Sequence, residues 1–305
     1  MGKAERNRRE NARAKIAAQQ AAARRAERRR QALIAGGSVL VVLAIVVVFI
    51  VIKVVQSPTT AAGTDVAGAK AIPAVAQQVT SVPASTLDAV GKGGASALSP
   101  VSGAPALTAN GKPEMVYMGA EYCPFCAGER WAMVVALSRF GTFSNLHFIH
   151  SSSTDTDPST PTLTFYRSSY SSKYLAFDPV ELYTSKPESG SRAGYTTLQT
   201  PTQAESALIS KYDAAPYVPS ADAGSFPFVD IGNKYLVIGG QFQPSSLAGL
   251  TWSQVATDIK DPSSPVAKDV DGAANTITAA ICKITNDKPA NVCSSAGAQA
   301  GAGAL

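Results

Sequence analysis

The fold is decided by a stretch that reads Met115-Val-Tyr-Met118, then Gly119-Ala-Glu-Tyr122, then Cys123-Pro-Phe-Cys126, and finally Ala127-Gly-Glu-Arg-Trp-Ala-Met-Val-Val-Ala-Leu-Ser-Arg-Phe140. The first four residues form an apolar run typical of a β-strand, and the next four are typical of a turn. The last segment predicts a helix that opens at the two cysteines. The stretch therefore predicts a strand, a Cys-x-x-Cys motif and a helix in direct succession, which is typical of an α/β domain.

The two cysteines of this motif lie where the predicted helix begins. If Cys123 is the N-cap, Pro124 falls at the first helical position, where its missing N–H costs nothing. Unpaired N–H groups and the positive end of the helix dipole then point at the Cys123 sulfur, favour the thiolate and lower its pKa. We expect Cys123 to be an exposed nucleophile and Cys126 to be a shielded thiol that resolves a mixed disulfide.

Charge is distributed unevenly along the chain, which has 305 residues and a net charge of +5. Residues 1–31 hold 11 Lys and Arg against three Glu, whereas residues 56–305 carry 15 basic and 19 acidic side chains. The globular part is therefore mildly acidic. We predict no binding to nucleic acid, because such folds carry a basic surface.

Residues 32–52 are 21 consecutive residues without a charge. At a rise of about 1.5 Å per residue, one helix of this length crosses the ~30 Å hydrocarbon layer of a bilayer. The apolar region of a cleaved signal peptide is usually about 7–15 residues, so a lasting anchor is favoured. Because the basic cluster precedes the span, we expect a single-pass protein of the cell membrane with 1–31 in the cytoplasm and the C-terminal domain outside it.

The rest of the chain divides by composition. Residues 53–79 are predicted to be a flexible stalk, because the stretch after the span is rich in Ser, Thr, Ala, Gly and Pro. Residues 80–293 are predicted to form the extracytoplasmic domain. Residues 294–305 are almost all Ala, Gly and Ser, and they are predicted to be a disordered tail.

Two other interpretations of the Cys123/Cys126 pair stay open. One is an inert local disulfide, and the other is half of a zinc site. A zinc site needs a second pair, but Cys282 and Cys293 have ten intervening residues rather than the usual spacing of about two to four. The redox interpretation is favoured, and it requires neither a metal nor a bound cofactor.

Ala120-Glu-Tyr-Cys-Pro-Phe-Cys126 resembles the active-site segment of the thioredoxin superfamily. The region after the predicted span is similar to an uncharacterised family of membrane-anchored, thioredoxin-like bacterial proteins catalogued as a domain of unknown function. Phe226-Pro-Phe-Val-Asp-Ile-Gly-Asn-Lys-Tyr-Leu-Val-Ile-Gly-Gly240 resembles the hairpin of that superfamily that begins with a cis-proline. The resemblance implies a thioredoxin-like fold, a cis Phe226–Pro227 bond beside the cysteines, and a loop there that pairs with the substrate backbone.

The resemblance covers roughly residues 112–260, and the sequence departs from it in several places. Tyr117 stands where thioredoxins carry a buried Asp, so Glu121 is the candidate for proton transfer, with a solvated turn residue as the alternative. Between the predicted strand 146–151 and the hairpin, the chain exceeds what the core needs, which predicts an insertion over about 152–215. Its many aromatic residues either pack a subdomain or line a groove over the cysteines.

Two features lie at the C-terminal end of the resemblance and beyond it. Residues 244–259 show helical spacing, as the closing helix of the fold requires. Cys282 ends a further helical stripe, and a bond to Cys293 would pin the C-terminal helix. A structural disulfide is favoured there over a relay of electrons to the Cys123/Cys126 pair.

The sequence thus predicts a membrane-anchored, extracytoplasmic thiol–disulfide oxidoreductase. Its expected partners are the thiols and disulfides of exported proteins, a membrane or secreted redox partner, and the lipid bilayer around residues 32–52. The alternative is a non-enzymatic, thioredoxin-like binding module of the cell envelope that keeps a structural disulfide at Cys123 and Cys126. Solvent access to Cys123 separates the two hypotheses, because only the enzyme needs it.

Overall fold

A computed structural model describes residues 69–191, 193–220 and 222–305, all of which lie in one compact unit, Ala62–Leu305. The predicted basic segment 1–31, the predicted span 32–52 and most of the predicted stalk lie outside these residues. Among the helices that the structure describes, none is both long and apolar enough to cross a membrane.

The described residues form twelve strands and eight α-helices, with two short 3-10 helices at Pro244–Leu247 and Ala302–Ala304. The strands are β1 (Ser99–Pro100), β2 (Thr108–Ala109), β3 (Lys112–Gly119), β4 (Gly141–Ser144), β5 (His147–His150), β6 (Pro161–Thr164), β7 (Ser169–Ser172), β8 (Ala176–Glu181), β9 (Tyr183–Pro187), β10 (Tyr195–Thr197), β11 (Phe228–Ile231) and β12 (Tyr235–Ile238). The α-helices are α1 (Pro73–Val79), α2 (Ala84–Val90), α3 (Pro124–Ser138), α4 (Gln203–Tyr212), α5 (Trp252–Asp258), α6 (Pro265–Ile284), α7 (Ala290–Cys293) and α8 (Ala296–Gly301).

The main sheet is built around β3, which lies between β8 and β11. Strand β8 is parallel to β3, whereas β11 is antiparallel to it and continues through β12 to β1. The register is defined at Met118 of β3, which lies opposite Val180 of β8 on one side and Phe228 of β11 on the other. This mixed α/β sheet confirms the predicted class.

Strand β3 is apolar on both faces, and each face packs into a different core. Met115 and Tyr117 belong to the larger core, while Val116 and Met118 belong to a smaller one. All four side chains are almost fully buried. Such a run is typical of a central strand that is covered on both sides. The carboxyl end of β3 is thereby held rigidly at the point where the cysteines follow.

The predicted helix 127–140 and the predicted hairpin 226–240 are confirmed. Helix α3 begins directly after Cys123 and packs against α6, the longest of the described helices. The hairpin consists of β11 and β12, which pair from Phe228↔Ile238 to Ile231↔Tyr235. The motif that decides the fold therefore has the local structure that its pattern indicates.

The prediction of one continuous closing helix over residues 244–259 is wrong. The segment divides into a 3-10 helix and the short helix α5, because Gly249 adopts a left-handed φ of +74° between them. Thr251 then restarts the helix as an N-cap in a capping box with Gln254. The long helix packed against α3 is instead α6.

The boundaries of the predicted insertion, 152–215, require a correction. Strand β8 lies inside them and yet belongs to the main sheet, as the parallel neighbour of β3. The strand expected directly after α3 is β5, which pairs with β6 in a separate two-stranded ribbon and with Lys70 through an isolated bridge. Parallel pairing joins segments far apart in sequence, so local spacing did not reveal it.

The predicted stalk ends earlier than residue 79. Helix α1 buries Val75 and Val79, which are four residues apart and share one helix face. Before it, Lys70 exchanges two backbone hydrogen bonds with Phe148, at 3.1 and 2.9 Å. The folded domain therefore includes residues that composition alone assigned to the stalk.

The predicted disordered tail, 294–305, is also wrong. It forms α8 and a 3-10 helix, and α8 packs against α6. A side chain at Gly297 or Gly301 would collide with Asn275 on α6. Small residues thus allow close approach of two helices here, whereas a scarcity of bulky residues suggested disorder.

Candidate redox site

Cys123 is the N-cap of α3, as the sequence predicts. Its Sγ accepts a hydrogen bond from the Cys126 backbone N–H at 3.3 Å, and Pro124 occupies the first turn of the helix. Its carbonyl oxygen accepts the first hydrogen bond of the helix, from the Ala127 N–H at 3.0 Å. A sulfur in this position lies at the positive end of the helix dipole.

Cys123 is less exposed than the sequence suggested. Only 7 % of its surface is accessible, and Cys126 is fully buried. The expectation of an exposed nucleophile is therefore corrected. The cover comes from four aromatic side chains. Tyr122 and Phe125 neighbour the cysteines in sequence, whereas Tyr183 and Phe226 come from distant parts of the chain.

The environments of the two thiols shift their pKa values in opposite directions. The Cys126 thiol hydrogen-bonds to the Cys123 sulfur, and this bond lowers the pKa of Cys123. Backbone N–H groups and the charge of Arg130 lower it further, whereas burial opposes the shift. Burial, together with the same hydrogen bond, raises the pKa of Cys126 well above its ordinary value. Both cysteines are free thiols in this state. The pair thus has one thiol that ionises easily and one that holds its proton.

The loop before β11 approaches Cys123 directly. The Phe226 carbonyl oxygen lies 3.7 Å from Cys123 Sγ, at hydrogen-bonding distance for a thiol. The Phe226–Pro227 peptide bond is cis. The structure therefore brings Phe226 and Pro227 together with the cysteines, although they are about a hundred residues apart in sequence.

Tyr117 and Gly119 pack against the buried side of the cysteine pair. Tyr117 is fully buried, and its hydroxyl has no hydrogen-bond partner among the described residues. A Cβ added to Gly119 would collide with that hydroxyl and would lie 3.1 Å from Cys126 Sγ. Burial raises the pKa of Tyr117 far above its ordinary value. The candidate for proton transfer, Glu121, is itself fully buried, so it is not the solvated turn residue of the alternative interpretation.

A buried ion pair lies behind the cysteines, and the sequence interpretation missed it. Arg130 Nε and Nη2 donate to the two oxygens of Glu181, both at 2.8 Å, and both side chains are fully buried. Arg130 Nη2 also donates to the Ala120 carbonyl oxygen at 2.6 Å. One signal was available, because Glu129 and Arg130 are two adjacent charges inside an otherwise largely apolar helix segment, one turn after Cys126.

Aromatic residues of the predicted insertion border the site. Tyr195 stacks on Tyr122, with ring centroids 4.0 Å apart and planes 6° apart, and its hydroxyl hydrogen-bonds to Ser152 at 2.9 Å. Tyr183 also contacts Tyr122, with ring centroids 6.2 Å apart and planes tilted by 48°. These contacts place part of the insertion beside Cys123, as the groove hypothesis expects.

Two shallow grooves flank Phe125 and share Gly239. One has a volume of about 430 Å³ and includes Val218, Pro219 and Phe226. The other has a volume of about 310 Å³ and is more polar. Both grooves border Phe125, the residue that precedes Cys126 in the motif.

Glu129 lies on α3, one turn beyond Cys126, and is buried. Its Oε2 accepts the Gln241 backbone N–H at 3.1 Å. Burial raises the pKa of Glu129 to about 7, although this hydrogen bond opposes the shift. The helix that carries the cysteines therefore holds a second ionisable group that changes charge near neutral pH.

The remaining two cysteines lie at disulfide distance. Cys282 and Cys293 have a sulfur–sulfur distance of 2.00 Å and connect the last part of α6 to α7. In the part of the chain that the structure describes, no group of three His, Cys, Asp or Glu side chains is arranged to hold a metal ion.

Comparisons with known proteins give one informative result. Neither the curated proteins nor the solved structures include a significant match to this chain. The model of the family described as "Domain of unknown function (DUF929)" matches residues 101–283. That range includes Cys123, Cys126, the Phe226–Pro227 loop and Cys282, and it covers more than half of the sequence. The chain therefore belongs to this DUF929 family.

Proposed function

We propose that this protein is a thiol–disulfide oxidoreductase with a thioredoxin-like fold and a Cys123/Cys126 redox pair. The observation that carries the proposal is Cys123 Sγ at the N-cap of α3, where it accepts the Cys126 N–H at 3.3 Å beside a free Cys126 thiol. A sulfur held this way is stabilised as a thiolate, which is the nucleophile of disulfide exchange.

The proposed fold assignment is supported by strand order. In the order β8-β3-β11-β12, the cysteines follow the carboxyl end of β3, and the proline loop precedes β11. The Phe226 carbonyl oxygen then lies against Cys123 Sγ. The proline loop before β11, the cysteine turn after β3 and the carboxyl end of β8 therefore lie at the same end of the sheet.

The proposed reaction has two steps. The Cys123 thiolate attacks a substrate disulfide, so that a mixed disulfide forms and one substrate sulfur leaves as a thiolate that takes a proton. Cys126 loses its proton, attacks the Cys123 sulfur and releases the second substrate sulfur. The substrate disulfide is reduced to two thiols, and the pair is oxidised to a disulfide. The same steps in reverse oxidise a substrate dithiol.

The proposed location is the outer face of the cell membrane. Residues 32–52 would anchor the chain, and the positive residues of 1–31 would stay in the cytoplasm. The substrates would then be exported proteins, and a membrane or secreted partner would recycle the pair. An even number of cysteines after the span agrees with an oxidising compartment.

A second candidate function is a binding module of the cell envelope. The observation that favours it is the 7 % exposure of Cys123, since the aromatic cover restricts access to the sulfur. In this case the Cys123/Cys126 bond would be structural, and the aromatic surface would contact a partner.

A trapping experiment separates the two functions. The purified full-length Cys126→Ser variant, reduced and then incubated with a model protein that carries a disulfide, should accumulate a mixed disulfide through Cys123. The Cys123→Ser/Cys126→Ser variant is the matched control and should trap nothing. If the single variant also traps nothing, the oxidoreductase proposal fails and the binding module is favoured.

A further inference from the structure

The buried pair Arg130–Glu181 connects three elements at the cysteine turn. Arg130 is on α3, Glu181 is at the end of β8, and Ala120 belongs to the turn after β3. The Ala120 carbonyl oxygen accepts two hydrogen bonds, one from Arg130 Nη2 at 2.6 Å and one from the Cys123 N–H at 3.2 Å. The guanidinium thus contacts the same carbonyl group that holds the Cys123 backbone.

Glu181 fixes the guanidinium in this position. Its carboxylate binds Arg130 through two bonds of 2.8 Å, and its Oε1 also accepts the Phe165 N–H at 3.3 Å. Its own backbone N–H donates to the Gln199 side chain at 2.8 Å. A buried ion pair is costly to desolvate, and removing one partner costs several kcal/mol. Because a buried ion pair contributes little net stability, stability alone does not explain why Arg130 and Glu181 are paired beside the cysteines.

Both sulfurs lie within the field of Arg130. Its positive charge lowers the pKa of Cys123 and opposes the rise in the pKa of Cys126. Burial would lower the pKa of Arg130 itself, but Glu181 raises it on balance, so the guanidinium stays charged. The other titratable groups in or against the cysteine turn are Tyr117, Glu121, Tyr122 and Tyr183.

We propose that Arg130 is a positioning residue of the redox pair: it holds the Ala120 carbonyl under the Cys123 turn and places a positive charge behind both sulfurs, and Glu181 sets how much of that charge they feel. The proposal deepens the proposed function, since it concerns the reactivity of the same two cysteines. It assigns a role to a pair of residues outside the Cys-x-x-Cys motif and the proline loop.

The test compares two variants that keep the core filled but change the charge in opposite ways. Both are made in the full-length Cys126→Ser background, so that Cys123 titrates alone. Glu181→Gln keeps Arg130 and removes the charge that compensates it. Arg130→Met/Glu181→Met replaces the whole pair by apolar side chains, a change that buried ion pairs often tolerate. The thiolate absorbance of Cys123 and its rate of alkylation are measured against pH.

The proposal predicts opposite shifts. In Glu181→Gln, the pKa of Cys123 falls and alkylation at about pH 6 becomes several-fold faster. In the Met/Met variant, the pKa rises and alkylation at that pH becomes roughly three- to tenfold slower, since one pKa unit changes the thiolate fraction about tenfold. Arg130→Lys in the same background keeps the positive charge, so Cys123 should keep most of the alkylation rate of the Cys126→Ser parent.

A purely structural role predicts a different result. Both variants would then shift the pKa of Cys123 in the same direction or leave it unchanged, and either outcome would overturn the proposal. The titration does not require disulfide exchange. If the Cys126→Ser parent traps no substrate while the two variants shift oppositely, the oxidoreductase proposal fails and the positioning role stands. If the parent traps substrate but the two variants do not shift the pKa of Cys123 in opposite directions, the oxidoreductase proposal stands and the positioning role fails.

Discussion

The two cysteine pairs of this protein are buried to a similar extent but differ in what surrounds the sulfurs. Cys123 and Cys126 are 7 % and 0 % exposed, and Cys282 and Cys293 are 4 % and 5 % exposed. The first pair consists of free thiols, whereas the second lies at disulfide distance. Burial alone therefore does not separate the free thiols from the pair at disulfide distance.

The difference is in the donors and charges near each sulfur. Cys123 receives a backbone N–H at the start of a helix and has Arg130 behind it. Cys282 lies towards the carboxyl end of α6, where a helix presents carbonyl groups rather than N–H groups. A thiolate is thus stabilised at one pair and disfavoured at the other, and the following predictions test that contrast.

The largest expected effect is on exchange itself. Cys123→Ser should abolish disulfide exchange with a model substrate, because the attacking thiolate is lost. Replacement of both Cys282 and Cys293 by Ala should leave the exchange rate within about twofold, as expected for a bond that acts only on stability. The rate is measured with the purified full-length chain. An equal loss in both variants would remove the distinction between the pairs.

Glu129→Gln tests the buried carboxyl group on α3, the helix that carries Cys126. The pKa of Glu129 is raised to about 7, so the folded state favours the protonated form. The contribution of Glu129 to the free energy of unfolding is therefore fully present below about pH 4.5. It decreases as the pH rises from about 4.5 to about 7, and it changes no further above that pH. Glu129→Gln should be more stable than the parent at about pH 8, by up to about 3 kcal/mol, and similar to it at about pH 4.5.

Chemical denaturation at the two pH values measures this difference. Thr202→Ala, which removes the capping box with Glu205 on α4, is a matched control and should cost about 1 kcal/mol at both. A pH-independent effect of Glu129→Gln would contradict the raised pKa.

The Cys282/Cys293 pair should matter for stability and not for chemistry. The bond closes a short loop, with a sequence separation of 11, and the chain-entropy relation gives roughly 3 kcal/mol for such a loop. The double Ala variant should lose about this much free energy of unfolding in denaturant titrations under oxidising conditions. In a reducing buffer, which opens the bond in the parent, the difference between parent and variant should nearly disappear.

The smallest expected effect concerns the packing behind Cys126. Gly119→Ala places a methyl group against the Tyr117 hydroxyl and Cys126 Sγ, and overpacking of this kind costs about 1–3 kcal/mol. Tyr117→Phe removes the hydroxyl and should recover part of that loss in the double variant. Unfolding free energies of both single variants and the double variant measure the coupling. Simple additivity would show that the close approach has no energetic consequence.

Local patterns in the sequence predicted much of the site. The N-cap at Cys123, helix α3 and the β11–β12 hairpin each depend on a few neighbouring residues, and each is present. The position of β8 could not be read in the same way, because parallel pairing with β3 joins distant segments.

The surroundings of the cysteines were also beyond local patterns. Tyr183 and Phe226 come from distant parts of the chain and help to bury Cys123. Glu181, at the carboxyl end of β8, binds Arg130 across 51 positions of sequence. The C-terminal Ala and Gly residues lack bulk, which resembles disorder in composition but permits close packing on α6. Whether a small residue is flexible or tightly packed depends on its neighbours in space.

The most direct test of the central claim is to equilibrate the full-length chain with a series of glutathione redox buffers. After alkylation, mass spectrometry quantifies the oxidised fraction of each pair separately. The account predicts that Cys123/Cys126 changes from dithiol to disulfide across the series while Cys282/Cys293 stays oxidised. It is contradicted if the Cys123/Cys126 pair stays in one state throughout, or if Cys282/Cys293 is the pair that responds.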